Sequence, residues 1–284
     1  MRIVNNPTMA GFRYIWHGLG EELKRAPLVE RLKWQQMVVE GSDLHKTHEL
    51  SNVILSWDEI PEDRETLADM IDPDLPWAED HFQERVSGEP MNPGKAHAYW
   101  PYHGQEIRRH LREMEGQGQF YDHNYMERMW CRSLEMGTID IESAVLMEGP
   151  DGVAVEVNQS MHPPFSGYRF NVGDLGSVID LLRNEPTTRQ AYLPLWFPED
   201  TGVTSGQRVP CTLGYYFIQG PKGLEMTYFM RACEWYRHFK NDIYLAGRLH
   251  QWVAEQVGME TSSLTVHIAN LHLFKGDTWH VDEV

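Results

Sequence analysis

The stretch from Cys211 to Phe274 decides the architecture. Two strand-like runs, 211–219 and 224–230, flank Gly220-Pro221-Lys222-Gly223, a turn sequence, and form a β-hairpin. Residues 242–257 repeat Ile243, Leu249, Trp252, Val253 and Val257 at helical spacing, and Leu264 to Phe274 returns to a strand pattern. The rest of the chain supplies further elements. Residues 19–40 are expected to form an amphipathic helix, with Leu23, Leu28, Leu32 and Val39 on one face. Asn52 to Trp57 is an expected strand, the acidic stretch Pro61 to Pro76 surface, Ala78 to Val86 a short helix and Ser87 to Gly94 a loop. Strands are expected at 139–147 and 153–157, joined at Gly149-Pro150-Asp151-Gly152. A helix at 174–184, stopped by Pro186, precedes a strand at 190–196. Helices and strands alternate without regular βαβ units. The expected fold is therefore α+β, a single domain over 1–284 built on one large mixed or antiparallel sheet.

Composition excludes several function classes. No apolar run reaches the ~18 residues of a membrane span, and the first residues lack a signal-peptide pattern, so a cytoplasmic location and no membrane partner are expected. The net charge of -17 argues against a nucleic-acid surface. It leaves room for a small phosphorylated ligand held by a few arginines. The three cysteines, Cys131, Cys211 and Cys233, have no C-x-x-C spacing, and no H-E-x-x-H occurs among the histidines. Neither a disulfide scaffold nor a metal site is expected.

The chemistry centres on Cys211, which follows Pro210 at the start of the hairpin. A cysteine in an apolar strand is commonly a buried small hydrophobe. Here Arg231 closes the partner strand, and Arg189 and Arg208 stand in adjacent segments. Arginines favour a thiolate and also grip phosphate. A thiolate beside a phosphate site suits nucleophilic attack on a nucleotide base.

Five segments in order then carry a resemblance: Pro186-Thr187-Thr188-Arg189, Pro210-Cys211, Met230-Arg231-Ala232-Cys233-Glu234, Asn241-Asp242-Ile243 and Leu271-His272-Leu273-Phe274. Over 170–275 the chain resembles the thymidylate synthase and pyrimidine (deoxycytidylate) hydroxymethylase superfamily. The resemblance implies a thymidylate synthase-like fold, a large sheet flanked by helices, in a homodimer packed through that sheet. It implies Cys211 as nucleophile, Arg189 (from the partner) and Arg231 as phosphate ligands, His272 at the sugar and Glu234 at the folate pterin. More loosely, Lys46 falls in the phosphate loop, Glu79 on the helix of the catalytic glutamate and Tyr102 in the tyrosine-glycine motif. Residues 105–169 match nothing in the family and are treated as a lineage-specific insertion.

The departures carry information. Asp242 stands where methylating members have asparagine, and the deoxycytidylate hydroxymethylases of the superfamily have aspartate there. A carboxyl group can accept from the cytosine N4 amino group and, if protonated, donate to N3. The competing reading makes Asp242 a helix N-cap before Ile243. Gln190, Thr212, Ala232 and Phe274 also depart from the family pattern, and the sequence ends ten residues after Phe274. The resemblance implies a C5-transferase for pyrimidine nucleoside monophosphates with methylenetetrahydrofolate as co-substrate. The leading expectation is a dCMP (or CMP) hydroxymethylase serving base hypermodification. The alternatives are a methylase making 5-methyl-dCMP or dTMP, and a non-catalytic nucleotide-binding paralogue.

Overall fold

The computed structural model describes residues 2–30, 46–102, 112–114, 118–121, 123–130, 144–149, 152–157, 174–197, 200–201 and 208–283. The chain opens with strand β1 (Arg2–Thr8), helix α1 (Phe12–Arg25) and strand β2 (Leu28–Glu30). The expected helix over 19–40 is corrected here: it begins at Phe12 and ends at Arg25. The cause is Pro27, which forces Ala26 into extended backbone (ψ 154°). Leu28 then sits in a strand, and Leu32 and Val39 lie outside the described residues.

Strand β3 (Lys46–Glu59) is longer than the expected 52–57. Helix α2 (Arg64–Ile71) occupies the acidic stretch expected to be mere surface. Asp63 caps it by accepting from the Thr66 amide at 2.7 Å, and Leu67 and Ile71 anchor it in the core. Helix α3 (Trp77–Arg85) matches its expectation closely. Two short pairs follow, β4 (Arg112–Met114) with β5 (Gly118–Phe120), and, beyond helix α4 (Tyr125–Met129), β6 (Ala144–Gly149) with β7 (Gly152–Val157). The β6–β7 turn falls at the expected glycines. The expected start of that first strand, 139–143, lies outside the described residues.

Helix α5 (Leu175–Asn184) is capped by Asp174. It leads to β8 (Tyr192–Pro194), shorter than the expected 190–196, then to the hairpin β9 (Thr212–Gln219) and β10 (Leu224–Met230). Strand β11 (Cys233–Glu234), helix α6 (Phe239–Val257) and strand β12 (Thr261–Phe274) complete the main elements. Gly258 ends α6 in the left-handed region (φ 69°), a position that glycine occupies without a Cβ penalty.

One eight-stranded sheet runs β1-β3-β12-β10-β9-β8, with β2 beside β3 and β11 beside β12. It is mixed: β1 with β3, β10 with β12 and β11 with β12 are parallel, and the remaining pairs are antiparallel. Alternation along the strands sends Leu55, Trp57, Tyr228, Val266 and Ile268 to one buried face, where α6 and α1 pack. On the other face Ile54, Ser56, Thr227, Phe229, Thr265 and His267 stay half-buried. At one end of the core Trp16 and Trp235 stack at 4.5 Å and exchange hydrogen bonds, each indole N–H donating to the other residue's carbonyl. Among the described residues no helix is long and apolar enough to cross a membrane.

Candidate active site

The hairpin places Cys211 one residue before β9, beside the last residue of β10. Its carbonyl accepts from the Arg231 amide at 2.9 Å, so thiol and guanidinium leave neighbouring strands together. Arg231 folds back over the loop. Its Nε donates to Pro210 O at 2.7 Å and one Nη to Val209 O at 3.0 Å, which leaves that Nη 3.9 Å from Cys211 Sγ. The Cys211 amide is in turn held by the Tyr125 hydroxyl at 3.2 Å. A half-exposed sulfur facing a guanidinium is the arrangement that a nucleophilic thiol requires.

Cys211 opens into a cavity of about 490 Å³. Arg231, Glu234, Asp242 and His272 line it too, so five of the nine residues singled out from sequence converge. Asp242 is the fourth residue of α6, not its cap. The cap position belongs to His238, whose carbonyl accepts the Asp242 amide at 2.8 Å. The helix starts three residues earlier than its periodicity suggested, because Phe239 is also buried in the core. Asp242 Oδ2 accepts instead from the Cys233 thiol at 3.5 Å. Burial pushes its carboxyl up to about 6, with Arg85 and the Cys233 bond pulling the other way. Glu234 is buried more deeply. Burial pushes it up to about 8, against the pull of the Arg237 amide on Oε2, and Oε1 has no hydrogen-bond partner among the described residues.

Four expected residues stand elsewhere. Glu79 faces α6: Arg248 binds it through Nε at 2.9 Å and Nη2 at 3.1 Å, and Tyr244 donates at 2.7 Å. Burial opposes its charge, but these bonds and that of Gln83 outweigh burial and keep its carboxyl below the usual range. Tyr102 packs edge-on against Trp100 and Tyr236, where burial raises its hydroxyl far above the ordinary value. Arg189 is exposed after α5, and Lys46 begins β3. Neither lines the cavity.

The remaining wall comes from residues that sequence reasoning passed over. On α3, Trp77, His81, Glu84 and Arg85 face the cavity at spacings of four, three and one, while Ala78, Glu79 and Phe82 are buried away from it. That helical stripe was available as a signal. His123 and Tyr125 lie before residue 154, where the family match begins, and no sequence signal marked them.

These features define an α+β protein with a cysteine–arginine cavity at the edge of a mixed sheet. The thymidylate synthase family model matches residues 154–284. Over those residues the chain is similar to the thymidylate synthase family. A Methanopyrus kandleri protein named "Putative thymidylate synthase" is 25% identical over 131 residues, 42% of this chain and 62% of that protein. A Sphingopyxis alaskensis "Thymidylate synthase" is 28% identical over 124 residues, 42% of this chain and 39% of its own length. A Methanosarcina mazei protein is 28% identical over 113 residues, 39% of this chain and 50% of that protein. The chain thus spans between 39% and 62% of the length of these relatives.

Proposed function

We propose that this protein is a folate-dependent pyrimidine-nucleotide C5-transferase, and specifically a dCMP (or CMP) hydroxymethylase. The observation that carries this reading is the shared cavity: Cys211 with the Arg231 guanidinium 3.9 Å from its sulfur, and Asp242 in the same wall. The Cys211 sulfur bonds to C6 of the base, and the displaced electron pair makes C5 nucleophilic. Methylenetetrahydrofolate is the one-carbon donor. The buried, unpartnered Glu234 Oε1 fits an N–H donor of its pterin ring. C5 would take the carbon and lose its proton, tetrahydrofolate would leave as the carbon–nitrogen bond breaks, and water would add to the exocyclic methylene that remains as the C6–S bond breaks and returns the thiolate. Arg231 holds phosphate beside the nucleophile, and Asp242 accepts from the base amino group. Glu79 is not assigned proton transfer, since Arg248 and Tyr244 occupy its oxygens. The Tyr125 hydroxyl, which accepts from the Cys211 amide, is a better candidate for proton removal than that of Tyr102.

The test is a product assay by mass spectrometry, with dCMP, CMP and dUMP each supplied with methylenetetrahydrofolate. The expected product is 5-hydroxymethyl-dCMP, absent with Cys211→Ser, which should still bind nucleotide. A methylated product would convert the assignment to a methylase. Turnover by a clean Cys211→Ser preparation would remove the mechanism.

A further inference from the structure

Arg85 ends α3 and is only 5% exposed. Its Nε donates to His81 Nε2 at 3.1 Å, and its guanidinium lies 4.5 Å from the centre of the Tyr125 ring. It forms no ion pair among the described residues, and its terminal nitrogens donate to none of them. A guanidinium carries five N–H donors, and Nε spends one of them on His81. Arg85 lines the cavity that Cys211 opens into. Its terminal nitrogens are therefore available to an acceptor within the cavity.

Asp242 supplies the second observation, as it reaches the same cavity from α6. The other titratable groups around it, Cys233, Tyr125, Tyr215 and Tyr228, are all held neutral by burial. Arg85 is the charge that pulls its carboxyl toward ionisation. We propose that Arg85 and Asp242 read the pyrimidine base as a pair, the carboxylate accepting an N–H and the guanidinium donating to the adjacent ring nitrogen or carbonyl oxygen. This rests on the cavity being a pyrimidine-nucleotide site. Cytosine offers that pattern as its N4 amino group beside N3, and Asp242 then needs no proton of its own. Arg85 is separate from Arg231, whose Nε and one Nη go to Pro210, Val209 and the sulfur.

Calorimetric titration without folate tests the pair. Wild type, Arg85→Met and Arg85→Lys are each titrated with dCMP, dUMP and 2-deoxyribose 5-phosphate. Arg85→Met should weaken dCMP binding about ten- to a hundredfold, the range for hydrogen bonds to a charged group. It should leave the base-free sugar phosphate unchanged. Arg85→Lys keeps the charge and loses the planar fork, so it should bind dCMP with an intermediate affinity. Equal dCMP affinity in all three proteins overturns the proposal. So does a matching loss of sugar-phosphate binding, which would make Arg85 a phosphate ligand. If wild type binds the sugar phosphate but none of the pyrimidine nucleotides more tightly, the nucleotide-site reading itself fails.

Discussion

Asp242 sits in the first turn of α6, four residues past the cap, so its carboxyl does not cap the helix. It occupies a half-buried position at the cavity. Replacing it by asparagine exchanges the carboxylate acceptor for the cytosine amino group for a neutral amide that pairs with O4 and N3–H of uracil. Each mismatched buried group costs about 1–3 kcal/mol. Asp242→Asn should therefore move the dCMP-to-dUMP ratio of kcat/KM toward uracil by about one to two orders of magnitude, measured with both substrates on both proteins. An unchanged ratio would strip Asp242 of base recognition. Glu234 gives a pH prediction. Its folded value, about 8, is above its ordinary 4.5, so its protonated form is the one that suits the fold. The stability it contributes is full below pH 4.5 and is lost as pH rises through about 8. Glu234→Gln should gain on wild type across that window in urea titrations, with the gap constant above it.

At the scale of elements, α3 has two faces with different duties. Glu79 clamps α3 to α6 through Arg248 and Tyr244, whereas Arg85 belongs to the cavity. Glu79→Gln should lower unfolding free energy by about 1–3 kcal/mol, because it leaves Arg248 without its carboxylate. The Glu79 value is depressed, so its contribution is present above its ordinary 4.5 and is lost as pH falls below that. Denaturation at pH 7 and pH 3.5 should show the difference between wild type and variant shrinking at the lower pH. A variant as stable as wild type at pH 7 would disprove the clamp. Much of this level was legible in the sequence. The hairpin, α3 and α5 announce themselves through turn residues, period and a stop at proline. Pro27 was equally visible, yet apolar periodicity ran across it and produced a helix where the chain turns into β2. Cys211, Arg231, Glu234, Asp242 and His272 were readable because they lie on or directly beside regular elements with family spacing. Tyr125 and His123 were not, since only tertiary folding brings their segment to the nucleophile.

For the whole molecule, the sheet face bearing Ile54, Phe229 and His267 stays half-buried, and Arg189 stands outside its own cavity. Both suit a homodimer packed through the sheet, with Arg189 completing the partner's site. Light scattering at micromolar concentration should give twice the 33.1 kDa chain mass. Mixed Cys211→Ala and Arg189→Ala subunits, each inactive alone, should recover part of the activity as a heterodimer. A fully active monomer would end this proposal. The two facing indoles of Trp16 and Trp235 have an optical consequence. Rings stacked at 4.5 Å and 7° form a coupled chromophore pair whose transitions mix. Trp235 directly follows Glu234 in the chain, so circular dichroism in the indole bands gives a label-free signal from beside the cavity wall, one that a ligand settling against Glu234 should perturb.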